Sequence, residues 1–140
     1  MIGYNYRMTN IEAAIGLAQL ERIDEFTKNK KQLADWYIKY LDLEKVDYHR
    51  QDEDVVHSYW MFSILVKNAS MREPLRKHLA DHNIETRPLF YPIHTMPMYS
   101  NKFHKHEVAE DLGWRGINLP SFPGLTEEQV KFIAGLINEF

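Results

Sequence analysis

Two stretches carry side chains whose types and spacing could do chemistry. Asn5 and Arg7 stand two residues apart in Gly3-Tyr4-Asn5-Tyr6-Arg7-Met8, just ahead of a helix start. An amide donor beside a guanidinium fork suits a phosphate or a carboxylate. A terminal tail with one capping residue accounts for the same pattern, and the residues leave both readings open. The second stretch, Arg87 to Tyr99 (RPLFYPIHTMPMY), places Arg87, Phe90, Tyr91, His94 and Tyr99 on a backbone stiffened by Pro88, Pro92 and Pro97. Irregular loops of this kind often carry binding groups, because proline reduces the entropy lost on ordering. Aromatics that merely pack over a core are the equal alternative. His94 is the one histidine in such a setting, able to donate to or accept from an anionic or hydroxylated ligand near neutral pH.

Other candidates read as ordinary structure. His78 and His82 share a helix face at i and i+4, a spacing that can hold a metal ion, but no carboxylate or third histidine is fixed beside them. They read as exposed helix histidines, and no metal site is assigned. His104-Lys105-His106 reads as a solvated basic patch and Asp52-Glu53-Asp54 as a solvated loop run. Trp60 and the Tyr59–Phe62 cluster read as core. The chain has no Gly-rich phosphate loop, no Gly-x-Ser-x-Gly elbow and no His-Glu-x-x-His.

The elements that must position these groups follow from caps and periodicity. Thr9 and Glu12 have capping-box spacing and predict a helix running to about Leu41, a rod of roughly 45 Å. Ile11, Ala14, Ile15, Ala18, Phe26, Leu33, Trp36, Tyr37 and Tyr40 fall on one stripe, while Leu17, Leu20 and Ile23 make its first half apolar on the opposite side too. A helix apolar all round needs cover that one small domain can hardly give, so a second body is expected. Tyr48 to Val56 reads as loop, and Ser58 to Val66 as a central strand. Ser70 with Glu73 predicts a helix with Leu75 and Leu79 inward and Asn83 at its end, followed by a short strand Ile84–Thr86. A helix from Glu107 to Leu112 ending near Gly113 and a strand over Gly116–Pro120 come next. Last is a helix capped by Thr126 and Gln129, with Val130, Ile133, Ile137 and Phe140 inward. The order predicts an α+β fold, a small sheet covered by helices, in one domain spanning 1–140.

Composition narrows the classes. The chain has 140 residues, 44% of them hydrophobic, enough for a core without a staple. Seventeen Lys+Arg against 20 Asp+Glu give a net charge of −3, which argues against nucleic acid as a partner. With no cysteine there is no disulfide framework and no thiolate chemistry. No apolar run is long enough to span a bilayer and no signal-peptide core opens the chain, so no membrane role and a cytoplasmic location are expected.

Taken together, the segments resemble the DegT/StrS-type sugar aminotransferases, which aminate nucleotide-linked keto-sugars and include the perosamine synthases. The likeness runs from Gly3 to Leu20 (GYNYRMTNIEAAIGLAQL). It continues through Ser58–Phe62, Arg87-Pro88, Tyr91–His94, Met96–Tyr99 and Ala109-Glu110, and ends on Asn118–Thr126. It implies the C-terminal small domain of an aspartate-aminotransferase-like fold, with pyridoxal phosphate as cofactor and a homodimer with sites at the subunit interface. By that likeness Asn5 bonds the cofactor phosphate and Arg7 supports the phosphate or substrate side. His94, with Arg87 and Tyr91, faces the sugar nucleotide. The Schiff-base lysine, the aspartate on the pyridinium nitrogen and the residue stacked on the ring all match sequence upstream of these segments. No residue of this chain is therefore assigned a catalytic role, and the chain alone is expected to be inactive and without covalently bound cofactor. The alternative is a non-catalytic binding or oligomerisation module derived from the same family, associating with itself or with a separate large domain. The sugar, the nucleotide and the amino donor are not read from these residues.

Overall fold

A computed structural model describes residues 3–100 and 104–140. Its first element is α1 (Asn10–Leu20), begun by the Thr9 capping box: Thr9 Oγ1 accepts from the Glu12 N–H, and Glu12 accepts from the Thr9 N–H. The helix does not continue to Leu41 as predicted. It stops at Glu21–Arg22, and α2 (Ile23–Tyr40) begins there. The Arg22 N–H bonds Gln19 O, three residues back, and its guanidinium forks onto Glu25. Neither Gly nor Pro marks the break. Its sequence signal is the acidic first turn of α2, Asp24 and Glu25, which favours the positive end of a helix.

Four short strands form one antiparallel sheet in the order β1 (Val46–Tyr48), β2 (Phe62–Val66), β4 (Gly116–Leu119), β3 (Arg87–Pro88). On β2 the branched and aromatic residues Phe62, Ile64 and Val66 alternate inward, opposite Leu119 and Ile117 of β4. Over that face, α2 supplies Leu33, Ala34 and Tyr37, while α5 (Glu127–Glu139) supplies Val130, Ile133, Ala134 and Ile137. Tyr37 stacks on Phe62 at 4.7 Å and donates its hydroxyl proton to Pro120 O at 2.9 Å, which ties α2 to the end of β4. Burial pushes the Tyr37 hydroxyl well above the ordinary tyrosine range, so it stays a donor. Leu75 and Leu79 of α3 (Arg72–Asp81) complete the apolar cluster, and α5 opens on the expected Thr126–Gln129 capping box.

Several boundaries differ from the sequence expectation for local reasons. β2 starts at Phe62, not Ser58, because Tyr59 adopts φ 47, outside the β region. Asn68, not Ser70, opens the turn before α3, accepting from the Ser70 N–H. Asn83 ends α3 in the left-handed conformation, φ 62, as its residue type allows. The strand expected at Ile84–Thr86 lies at Arg87–Pro88, where Arg87 pairs with Asn118. The fourth helix, α4 (Glu107–Arg115), runs through Gly113 and stops at the extended Gly116. Strand β1, for which no element is predicted, precedes the expected loop Tyr48–Val56 and overlaps it only at Tyr48. Trp60 and Phe140, expected inward, are exposed.

Candidate functional site

The chain preceding α1 lies on the surface. Tyr4, Tyr6 and Met8 are 87%, 86% and 73% exposed, and α1 buries no residue at all. Within this segment Asn5 Oδ1 accepts from both the Arg7 N–H, at 3.0 Å, and Arg7 Nε, at 3.2 Å. The side-chain oxygen of Asn5 thus turns the backbone and steers the guanidinium, leaving the Asn5 NH₂ and the remaining Arg7 N–H groups as donors. These two residues are brought together by that oxygen.

The loop residues are placed individually. Arg87 sits on β3 with its side chain 80% exposed and 3.5 Å from Glu85. It stands at the edge of an open groove of about 880 Å³ lined by Asn118, Ile84, Leu125, Phe122 and Phe132. Tyr91 packs against Trp114 of α4 with ring centroids 5.6 Å apart. His94 lies in the 3₁₀ turn Ile93–Thr95 with Nε2 3.0 Å from Glu110 Oε1, and its ring meets His106 at 4.7 Å. Tyr91 and His94 therefore both face α4, whereas Arg87 faces the groove. The Glu110 carboxyl is held below the usual carboxylate range, chiefly by the His94 hydrogen bond. It is an anion at neutral pH, and the proton between the two belongs to His94.

Some site features escaped sequence reasoning. Glu110 carries no local signature of its role, because its partner His94 lies sixteen residues away on another element. Trp60, read as core, stacks in the open on Phe90 at 6.3 Å. Lys30 donates to Trp60 O at 2.7 Å and to Ser121 O, clamping two loops, and burial lowers its pKa. A lysine on an amphipathic helix reads as solvated, so nothing in the sequence pointed to that clamp. His78 and His82 lie side by side at 4.8 Å, and no metal-binding group of three or more ligands occurs among the described residues.

The small antiparallel sheet with helices over it matches the fold of solved aminotransferases. The same arrangement occurs in a DegT/DnrJ/EryC1/StrS aminotransferase from Brucella abortus. That structure superposes with a TM-score of 0.88 at 25% identity, over 99% of this chain and 37% of the other. The chain belongs to the DegT/DnrJ/EryC1/StrS aminotransferase family, whose model matches residues 1–138. A GDP-perosamine synthase of Escherichia coli O157:H7 is 63% identical over 140 residues, all of this chain and 38% of that protein. A GDP-perosamine synthase of Vibrio cholerae is 42% identical over 144 residues, covering 39% of its length. The chain thus spans well under half of the relatives it matches. Pyridoxal phosphate is the family's cofactor. The donors of Asn5 and Arg7 fit one part of it, the phosphate, in chemistry and in accessibility.

Proposed function

We propose that this chain is the C-terminal part of a pyridoxal-phosphate-dependent aminotransferase acting on a nucleotide-linked keto-sugar, in the biosynthesis of an amino-sugar polysaccharide. The observation that carries the reading is the 63% identity to a GDP-perosamine synthase across every residue of the chain. When bound, the cofactor serves as the electron sink of transamination. Asn5 and Arg7 hold its phosphate from an exposed segment that is free to enter a site on a neighbouring body. His94, Arg87 and Tyr91 border the sugar-nucleotide side. The lysine that carries the cofactor belongs to the part of the relatives this chain does not span, so the chain by itself does not transaminate. It works in a homodimer or with a large domain, in the cytoplasm.

The test joins this chain to the remaining, lysine-bearing part of the E. coli relative as one polypeptide. Formation of glutamate from 2-oxoglutarate is then followed with GDP-perosamine as amino donor. The fusion is expected to be active and the 140-residue chain alone silent. Activity of the chain alone, or an inactive but folded fusion that binds pyridoxal phosphate, overturns the reading. Arg7→Ala in the fusion is expected to weaken cofactor retention about 10- to 100-fold, the loss of a charge-assisted hydrogen bond. Its effect on the melting temperature of the isolated chain is expected to be negligible, because the side chain supports no core.

A further inference from the structure

We propose that Glu110 is the positioning residue of His94, fixing the ring's orientation and tautomer within the loop that meets the sugar nucleotide. The proposal rests on the reading of that loop as substrate-facing.

Two contacts bind the turn Ile93–Thr95 to α4. The turn itself is closed by Thr95, whose N–H and hydroxyl both donate to Pro92 O, at 3.0 and 2.7 Å. Its first anchor is steric: a Cβ on Gly113 would stand 2.9 Å from Pro92 Cδ, so only glycine lets α4 approach this closely. The Gly113 carbonyl is in turn held by Arg72 Nη1 at 2.8 Å. The second anchor is Glu110, one turn earlier on the same helix face, with Oε1 3.0 Å from His94 Nε2. The two side chains are only 16% and 21% exposed. That oxygen also accepts the His106 N–H at 3.3 Å, which fixes the carboxylate against the helix start.

An ionised carboxylate can only accept, so it selects the His94 form with its proton on Nε2. Other charged and titratable groups stand near this pair. His106 meets the His94 ring edge-on at 4.7 Å and His104 lies 5.1 Å beyond it, while Lys105 acts on Glu110 and lies 3.4 Å from Glu107. All of the imidazoles lie on the loop side and the two carboxylates on α4.

Two measurements separate the links of this argument. Nitrogen-15 correlation spectra of the 140-residue chain at neutral pH are expected to show His94 as the Nε2–H tautomer. Glu110→Gln keeps it, because the amide oxygen still accepts, whereas Glu110→Leu yields a mixture of tautomers. An unchanged tautomer in E110L overturns the positioning role. In the fusion enzyme, E110L is expected to raise KM for GDP-perosamine about tenfold with kcat nearly unmoved, and E110Q to restore it, the size of one oriented hydrogen bond. A helix-stability effect alone would not be rescued by E110Q in KM while sparing kcat. If His94→Ala leaves KM unchanged, the loop does not face substrate, and the proposal falls at that step even where the tautomer behaves as expected.

Discussion

His57 shows how one side chain sets a local pH response. Its Nδ1 accepts the Tyr59 N–H at 2.8 Å and its Nε2 lies 3.0 Å from His49 Nδ1. The His57 Nδ1 lone pair is in use, so a proton there breaks the bond to Tyr59. Burial first, and the neighbouring His49 second, lower the His57 pKa from its ordinary value of 6.5. The folded chain therefore binds this proton less readily than the unfolded one. Its stabilising contribution is complete above the ordinary value, and it declines as pH falls from there toward the lowered folded value. The bond to His57 also holds Tyr59 at φ 47, the kink that delays β2. Thermal melts by circular dichroism are expected to show a lower Tm at pH 5 than at pH 7, with a shallower decline in His57→Asn. Equal slopes in the two proteins would show that His57 does not carry the effect.

At the scale of elements, the same cap motif has different weight in different places. Thr9 and Thr126 each form a capping box, but α1 buries nothing whereas α5 contributes five core residues. Removing the cap by Thr126→Ala is expected to cost about 1 kcal/mol of global stability. Thr9→Ala is expected to leave the global transition in place and only speed amide exchange in α1, because a short helix without packing is marginal anyway. Gly116 marks the junction of α4 and β4, where a Cβ would stand 2.5 Å from the Leu89 Cβ and 2.7 Å from the Leu112 carbonyl oxygen. Neither neighbour is the far end of a flexible chain. Gly116→Ala is therefore expected to cost roughly 1–3 kcal/mol, read as a lower denaturation midpoint at unchanged slope. The core stripes of α3 and α5 and the capping box of α5 were legible in sequence because caps and periodicity are local, whereas the expected Ser70 cap of α3 gave way to Asn68. The break at Arg22 was not, since both halves of the rod have good helix formers and no breaker stands between them. Nor was β3: a two-residue strand ending in proline is defined only by its partners Asn118 and Ile117 on β4.

The whole molecule presents an unbalanced surface. Ile11, Ile15, Leu17 and Leu20 on α1 are between 58% and 74% exposed, beside the exposed Tyr4, Tyr6 and Met8. Exposed apolar surface of this kind favours association. Sedimentation across a range of concentrations is expected to show self-association of the chain that Leu17→Glu weakens. A strictly monomeric wild type at every concentration would remove the oligomer from the proposed function. No helix among the described residues is long and apolar enough to cross a membrane, so this surface is not read as a span.

What the sequence by itself determined is the set of local decisions and the family likeness. The capping boxes of α1 and α5, the inward stripes of α3 and α5, the central apolar strand and the Asn5–Arg7 pair all depend on neighbours within a few positions. Tertiary structure alone decided which groups meet across long separations. Glu110 reaches His94 only because Gly113 lets α4 settle against Pro92, and Lys30 clamps Trp60 to Ser121 only once α2 lies across both loops. Such contacts are fixed by packing in three dimensions, and periodicity along the chain carries no record of them. The exposed face of α1 shows both contributions: its apolar residues are evident in the sequence, and the fold leaves them uncovered.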